Sequence, residues 1–160
     1  MKLSAQDEYG LRCLLQIARR GDEGSTTIPE ISRAEGLTTE YVAKLLRILR
    51  RGGLIASTRG QSGGYSLSRP ASEITVSDVL EVLGGRLYEA GFCQRHSGSE
   101  DMCAHSTDCS IRTLWRAMQA ALDQVLSQTT LKNLLCNEEE MISIVSNLVH
   151  VEETQLEYDV

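Results

Sequence analysis

Three of the five cysteines in this 160-residue chain fall in one polar stretch, Cys93 to Cys109, which reads CQRHSGSEDMCAHSTDC. The stretch has too few apolar residues to make a helix face or a strand, so its thiols are not there to fill a core. Thiolates gathered from an irregular loop suit soft metal centres: an iron–sulfur cluster, zinc or copper(I). A disulfide would use two of them and strand the third. His96 and His105 lie in the same stretch and can offer an imidazole. The other two cysteines read differently. Cys13 sits in an apolar helical pattern and Cys136 ends another, LKNLLC, so both are expected as small buried hydrophobes. There is no secretory apolar segment at the N-terminus and no apolar run long enough to span a bilayer. That places the chain in a reducing cytoplasm, where cysteines serve metal or redox chemistry.

The elements that must position these thiols can be read in order. Ser4 and Asp7 have capping-box spacing, and the stripe Leu11, Leu14, Leu15 and Ala18 follows, so a first helix is expected until Gly21. Thr27 with Glu30 opens a short second helix, with Pro29 in its first turn and Gly36 at its end. A third helix starts near Thr39 and turns Val42, Leu45, Leu46 and Leu49 inward. Two helices joined by a tight glycine turn make a helix-turn-helix. The second of the pair points Glu40, Tyr41, Ala43, Lys44, Arg47, Arg50 and Arg51 outward. Its early positions, from Thr39, are short or polar and suit base edges, whereas the three arginines come later and can reach phosphates. Leu54 to Leu67 reads as strand, glycine-rich turn and strand: a wing with Arg59 near its tip, where an arginine can enter a minor groove. Ser57 and Tyr65, on its two strands, join the expected DNA-binding set.

Thr75 with Asp78 caps a further helix carrying Val76, Val79, Leu80 and Leu83, which Gly84 and Gly85 end. After the cysteine loop, Ile111, Trp115, Met118, Leu122 and Val125 recur at spacings of four, three, four and three, with Leu114, Ala121 and Leu126 widening the stripe. This seam suits a dimerisation helix packed against its twin. Thr129 to Cys136 adds an apolar turn or two. Asn137 with Glu140 caps a last helix with Met141, Ile144, Val145, Leu148 and Val149, and the acidic end from Val151 to Val160 is expected to fray. The expected fold class is mainly α. A winged helix-turn-helix domain with a two-stranded wing (1–83) leads to a cysteine loop (84–109), a long dimerisation helix region (110–136), and a C-terminal helix with acidic tail (137–160).

Charge divides the chain the same way. Residues 1–70 hold 11 Lys/Arg against 7 Asp/Glu, and residues 71–160 hold 5 against 15, within a net charge of -6. A basic front half fits a polyanion-binding head on an acidic body. Aromatic residues make up only 4%, too few for a large self-sufficient core, so a partner is expected to share it. No nucleophile elbow, phosphate loop or paired-carboxylate pattern is present, so the chain is not expected to be an enzyme.

These residues resemble a known family. MKLSAQDEYGLRCLLQIA, TEYVAKLLRILRRGGLIASTRGQSGGYSLSRP, ITVSDVLEVLGG and the cysteines followed by LW and TTLKNLL look like the IscR/NsrR-like winged-helix regulators of the Rrf-two superfamily. The likeness covers residues 1–136. It implies a homodimeric transcription factor bound to a double-stranded DNA operator, with crossed dimer helices and each cluster loop near the partner's reading head. It implies that Cys93, Cys103 and Cys109 ligate a [2Fe–2S] or [4Fe–4S] cluster, although the nine residues between Cys93 and Cys103 exceed the usual family spacing. IscR-like members place a histidine ligand where this chain has Arg112, an always-protonated side chain that ligates poorly. NsrR-like members take a carboxylate from the first helix of the other subunit, and the matching position is Glu8, with Asp7 beside it; His105 and His96 are the alternatives. By the same resemblance Thr39, Glu40, Ala43 and Lys44 face bases and Arg59 the minor groove, and DNA binding reports iron, redox or nitric oxide status. Two rival expectations share the fold: a regulator stabilised by zinc, and a cluster-free one governed by thiol oxidation or a protein partner.

Overall fold

Three helices of the front half begin where a hydroxyl residue stands three positions before an acidic one. In the computed structural model, which describes residues 3–21, 24–58, 63–99 and 102–149, Ser4 Oγ accepts the Asp7 N–H at 3.2 Å and Asp7 Oδ2 accepts the Ser4 N–H at 2.9 Å. This box opens α1, Ala5–Ala18. Thr27 with Glu30 opens α2, Ile28–Glu35, and Thr75 with Asp78 opens α4, Val76–Leu83. Each such cap is worth about 1 kcal/mol. The Thr27 backbone N–H, and then its hydroxyl, hold the Glu30 carboxyl below the usual carboxylate range.

Between α2 and α3, Thr39–Arg51, the chain turns through Gly36 at φ 66°, a left-handed conformation that glycine adopts without steric cost. Thr38 then caps α3, accepting the Tyr41 N–H at 3.3 Å. This is the expected helix-turn-helix. Its inner face holds Val42, Leu45, Leu46 and Leu49, all fully buried against Cys13, Leu14 and Ile17 of α1 and Ile31 of α2. Full burial of each such aliphatic side chain contributes roughly 1.5–3 kcal/mol. Glu35 ties α2 to α1, accepting from Arg12 Nε at 2.6 Å and Gln16 Nε2 at 2.5 Å. Helix α4 crosses α1 at Gly10, where an added Cβ would stand 2.5 Å from Leu83 Cδ1. The Leu83 carbonyl also accepts from Gln6 Nε2.

The wing is a two-stranded antiparallel sheet, β1 (Ile55–Thr58) on β2 (Gly64–Leu67), with Ser57 opposite Tyr65. Tyr65 also forms a two-way backbone bridge with Thr26, both bonds 2.9 Å, which pins the wing to the segment before α2. Arg59 lies outside the described residues, as does the acidic end 151–160.

Beyond α4 the cysteine loop contains one helical turn, α5 (Phe92–Arg95), which corrects the expectation of a wholly irregular segment. Then come α6 (Ser110–Gln128) and α7 (Glu138–Val149). Helix α7 packs on α6 with Met141, Ile142, Ile144, Val145 and Leu148 half-buried and Val149 exposed, and Asn137 Oδ1 accepts the Glu140 N–H at 2.9 Å. Between these helices the chain returns to the head. Thr130 bridges Thr75, the Leu131 N–H donates to the Ile74 carbonyl at 2.9 Å, and the Leu131 side chain is fully buried in the head's core. Cys13 is fully buried as expected, and burial pushes its thiol up to about 12. Cys136 is only half-buried, a correction: it follows a short 3-10 turn at the surface and does not enter the core. No described helix is long and apolar enough to cross a membrane.

Candidate DNA interface and cysteine cleft

On α3 the positions that do not face the core form one basic stripe. Thr39, Glu40, Lys44, Arg47, Arg50 and Arg51 are exposed and Ala43 is half-exposed. Among the described residues none of the four cations on this face is in an ion pair. Cations without carboxylate partners on one helix face are free to meet phosphates. The Glu40 carboxyl is held below its ordinary range by its own backbone N–H and then by the Thr39 hydroxyl at 3.2 Å, which keeps it a hydrogen-bond acceptor at the start of the helix. Arg50 Nη1 donates to Ser57 Oγ at 3.4 Å, so the end of the reading helix and the first wing strand share one surface.

Tyr41 departs from the outward placement expected of it. It is half-buried, meeting Tyr9 edge-on at 6.0 Å between ring centroids, with Lys44 Nζ 6.0 Å from its own ring centre. An aromatic ring at the start of α3 gains more from packing on α1 than from exposure. Tyr65 is likewise half-buried against the core, where it anchors the wing.

A second constellation lies later in the chain. Cys93 on α5, Cys103 in the loop and Cys109 at the head of α6 line one cleft of about 160 Å³, together with Met102, His105, Ser106 and Arg112. All three thiols are free and half-buried. Cys109 is the N-cap of α6, its Sγ accepting the Arg112 N–H at 3.4 Å, and the positive end of a 19-residue helix favours an anionic group there. The Arg112 guanidinium donates to the Ser106 carbonyl at 3.0 Å, folding the loop over the cleft. Cys93 Sγ stands 3.5 Å from the Tyr88 hydroxyl, a contact that holds the phenol above its ordinary range and in which either group can donate while the thiol keeps its proton.

Among the described residues no group of three or more His, Cys, Asp or Glu side chains comes together as the shell of a single metal ion. The three sulfurs instead share the walls of a common space. A [4Fe–4S] cluster attaches each thiolate to a different iron and so takes sulfurs standing farther apart than the donors of one ion, whereas in a [2Fe–2S] cluster two of three thiolates share an iron. Soft donors, partial burial and an adjacent guanidinium thus fit a cluster.

Of the remaining candidate ligands, His105 lines the cleft and His96 does not. His96 stacks on Phe92 at 4.2 Å, and its Nδ1 lies 2.8 Å from the Phe92 carbonyl. Glu8 and Asp7 line a different space, a groove of about 480 Å³ between α1, α4 and α6 whose walls include Leu3, Leu11, Leu80 and Leu122. Within one chain they are not brought to the cysteines. Asp7 Oδ2 is taken by the capping box, while its Oδ1 is buried without a partner.

Sequence reading missed Arg116, which lines an adjoining cleft of about 570 Å³ with Arg86, Tyr88, Phe92, Cys93 and Arg112. It also missed Gln119, buried at 8% exposure. The signal for Gln119 was present: Trp115, Gln119, Leu122 and Leu126 form an inner stripe at spacings of four, three and four. Ile111, Leu114 and Met118, 59%, 54% and 37% exposed, form a separate outer one.

The chain is similar to known proteins over most of its length. The profile of a family described as "Rrf2: Iron-dependent Transcriptional regulator" matches residues 3–137. The protein rrf2 of Nitratidesulfovibrio vulgaris is 35% identical over 135 residues, 84% of this chain and 87% of the relative. The transcriptional regulator IscR of Klebsiella pneumoniae is 32% identical over 155 residues, 97% and 91% of the two chains. Among solved structures, CymR, described as the global cysteine regulator of B. subtilis, superposes with a TM-score of 0.66 at 31% identity, covering 84% of this chain and 96% of that one. The IscR of T. potens superposes at 0.64 with 26% identity, covering 99% and 94%.

Proposed function

Since the chain belongs to the Rrf2 family of winged-helix transcriptional regulators, a family of DNA-binding proteins and not of enzymes, we propose that it is a cytoplasmic, homodimeric regulator whose Cys93, Cys103 and Cys109 hold an iron–sulfur cluster. Operator binding then follows iron, redox or nitric oxide status. The observation that carries this reading is the shared cleft: three free thiols from separate parts of one loop facing a single space beside Arg112.

When bound, the cluster supplies an iron centre that responds to oxidant, nitric oxide or iron supply. The chain's own residues do the rest. Cys109 caps α6 and Cys93 lies on α5, so holding their sulfurs together fixes α5 against the first turn of α6. Helix α6 packs on α4, and α4 packs on α1 and α3, so the stance of α6 bears on that of the reading helix. The outer stripe Ile111, Leu114 and Met118 meets the same stripe of a second copy, which sets the spacing of two reading heads on a two-fold operator. Thr39, Glu40, Ala43 and Lys44 face bases, Arg47, Arg50 and Arg51 face phosphates, and the wing, with Ser57 and Arg59, faces the neighbouring groove, while Tyr65 anchors the wing to the core. The fourth donor is Glu8 of a second copy, exposed near the start of α1; His105, inside the cleft, is the donor if the chain completes its own shell.

Anaerobic purification with iron, sulfide and zinc analysis tests this. Iron and sulfide are expected in the wild type and absent once all three loop cysteines are serine. Glu8→Ala, and not His105→Ala, is expected to make the centre more labile. Stoichiometric zinc in a colourless protein would overturn the cluster.

The likeness to CymR together with five free cysteines favours a second reading, in which the same fold is governed by thiol oxidation or a bound protein. There, wild-type protein free of metal still changes its operator affinity on oxidation or on addition of the partner.

A further inference from the structure

From Gly84 to Met118 no described side chain is buried, and the first buried one to follow is Gln119, midway along α6. A buried amide is costly unless its donors and acceptors are used. Here Oε1 accepts the backbone N–H of Tyr88 at 2.9 Å, and Nε2 donates to Asp123 Oδ1 at 2.8 Å. The second Asp123 oxygen accepts from the Arg86 guanidinium. Residues 86–88, the entrance to the cysteine loop, are thereby fastened to α6. Tyr88 in turn sets its ring against Phe92 at 5.1 Å and its hydroxyl 3.5 Å from Cys93 Sγ. A ligating thiolate carries no proton and can only accept, so in that state the phenol is the donor.

We infer that Tyr88, held in place by Gln119, is a positioning residue that donates its O–H to the Cys93 sulfur when that sulfur ligates a cluster, directing the ligand and raising the cluster's reduction potential. The inference rests on the cluster reading above. Its physical basis is general. Reduction adds negative charge to cluster and thiolates, so a hydrogen bond to sulfur stabilises the reduced form more than the oxidised one. Because Gln119 lies on α6 and holds the backbone of Tyr88, it controls where the phenol stands without touching the sulfur.

The test is an anaerobic redox titration of the reconstituted full chain, followed by visible absorbance, with iron and sulfide measured on the same samples. Tyr88→Phe keeps the ring on Phe92 and removes only the hydroxyl. It is expected to load as much iron and sulfide as the wild type, melt at the same temperature without cluster, and show a more negative midpoint potential. Gln119→Leu is expected to shift the potential in the same direction, and the double variant no further than the larger of the two. A Tyr88→Phe protein with wild-type potential overturns the inference and leaves the cluster reading standing. Wild-type chain that takes up neither iron nor sulfide overturns both. Additive shifts in the double variant overturn the part assigned to Gln119. Where Gln119→Leu fails to fold, Tyr88→Phe decides alone.

Discussion

The reading head and the cysteine loop are held together by opposite means. The head is built on a continuous buried cluster from Cys13 to Leu83, closed by Leu131 from far along the chain. The cysteine loop and the first half of α6, Gly84 to Met118, bury nothing among their described residues, and the loop is fastened by polar contacts: Arg86 with Asp123, Arg95 with Glu89, Arg112 with Ser106, and the Gln119–Tyr88 tie. Ion pairs as exposed as Arg95 with Glu89 contribute little to stability. The head therefore carries its own shape, whereas the loop has no buried core of its own to hold its shape.

Substitutions can break or sharpen that contrast. Leu45→Ala removes a fully buried side chain from α3 and is expected to destabilise the metal-free protein by about 2–5 kcal/mol in urea titrations; a cost near zero would mean that the head is not self-supporting. A smaller effect separates the two kinds of cysteine. Burial holds the Cys13 thiol at about 12 against an ordinary value of 9.0, so the folded state keeps that proton over a range where the unfolded chain gives it up. Stability from this source is whole below pH 9 and declines as pH rises toward 12. Cys13→Ala is expected to flatten that decline relative to wild type in pH-dependent unfolding curves. The smallest effect belongs to the loop: serine at Cys93, Cys103 and Cys109 together is expected to change the stability of the metal-free chain by no more than about 0.5 kcal/mol. A loss as large as that of Leu45→Ala would erase the distinction between the regions.

The front half was legible because its signals are local. Hydroxyl-to-carboxylate spacing at Ser4, Thr27 and Thr75 marked three helix starts that the structure reproduces, and the Val42–Leu45–Leu46–Leu49 stripe lies in the core as read. The misplacements have tertiary causes. Tyr41 looked outward on a helical wheel, but Tyr9 of α1 offers it a ring to pack on. Cys136 ends an apolar run, yet of that run only Leu131 is fully buried in the head's core. In the cysteine region the residue types pointed to the thiols, and the structure sets all three on one cleft. Gln119 could have been found from its place in the Trp115–Leu122–Leu126 stripe, but its tie to Tyr88 could not, since a hydrogen bond between residues 31 positions apart leaves no trace in periodicity.

The return of residues 129–131 to the head has a mechanical consequence. Helix α6 is hinged at its C-terminal end by the Thr75–Thr130 bridge and the sunken Leu131, while its N-terminal end at Cys109 leads out of the cysteine loop. Nineteen residues make a lever about 28 Å long. A swing of roughly 5° at that fulcrum carries the Cys109 end by about 2.5 Å, and under the cluster reading proposed above the three sulfurs would act on this lever at its long arm.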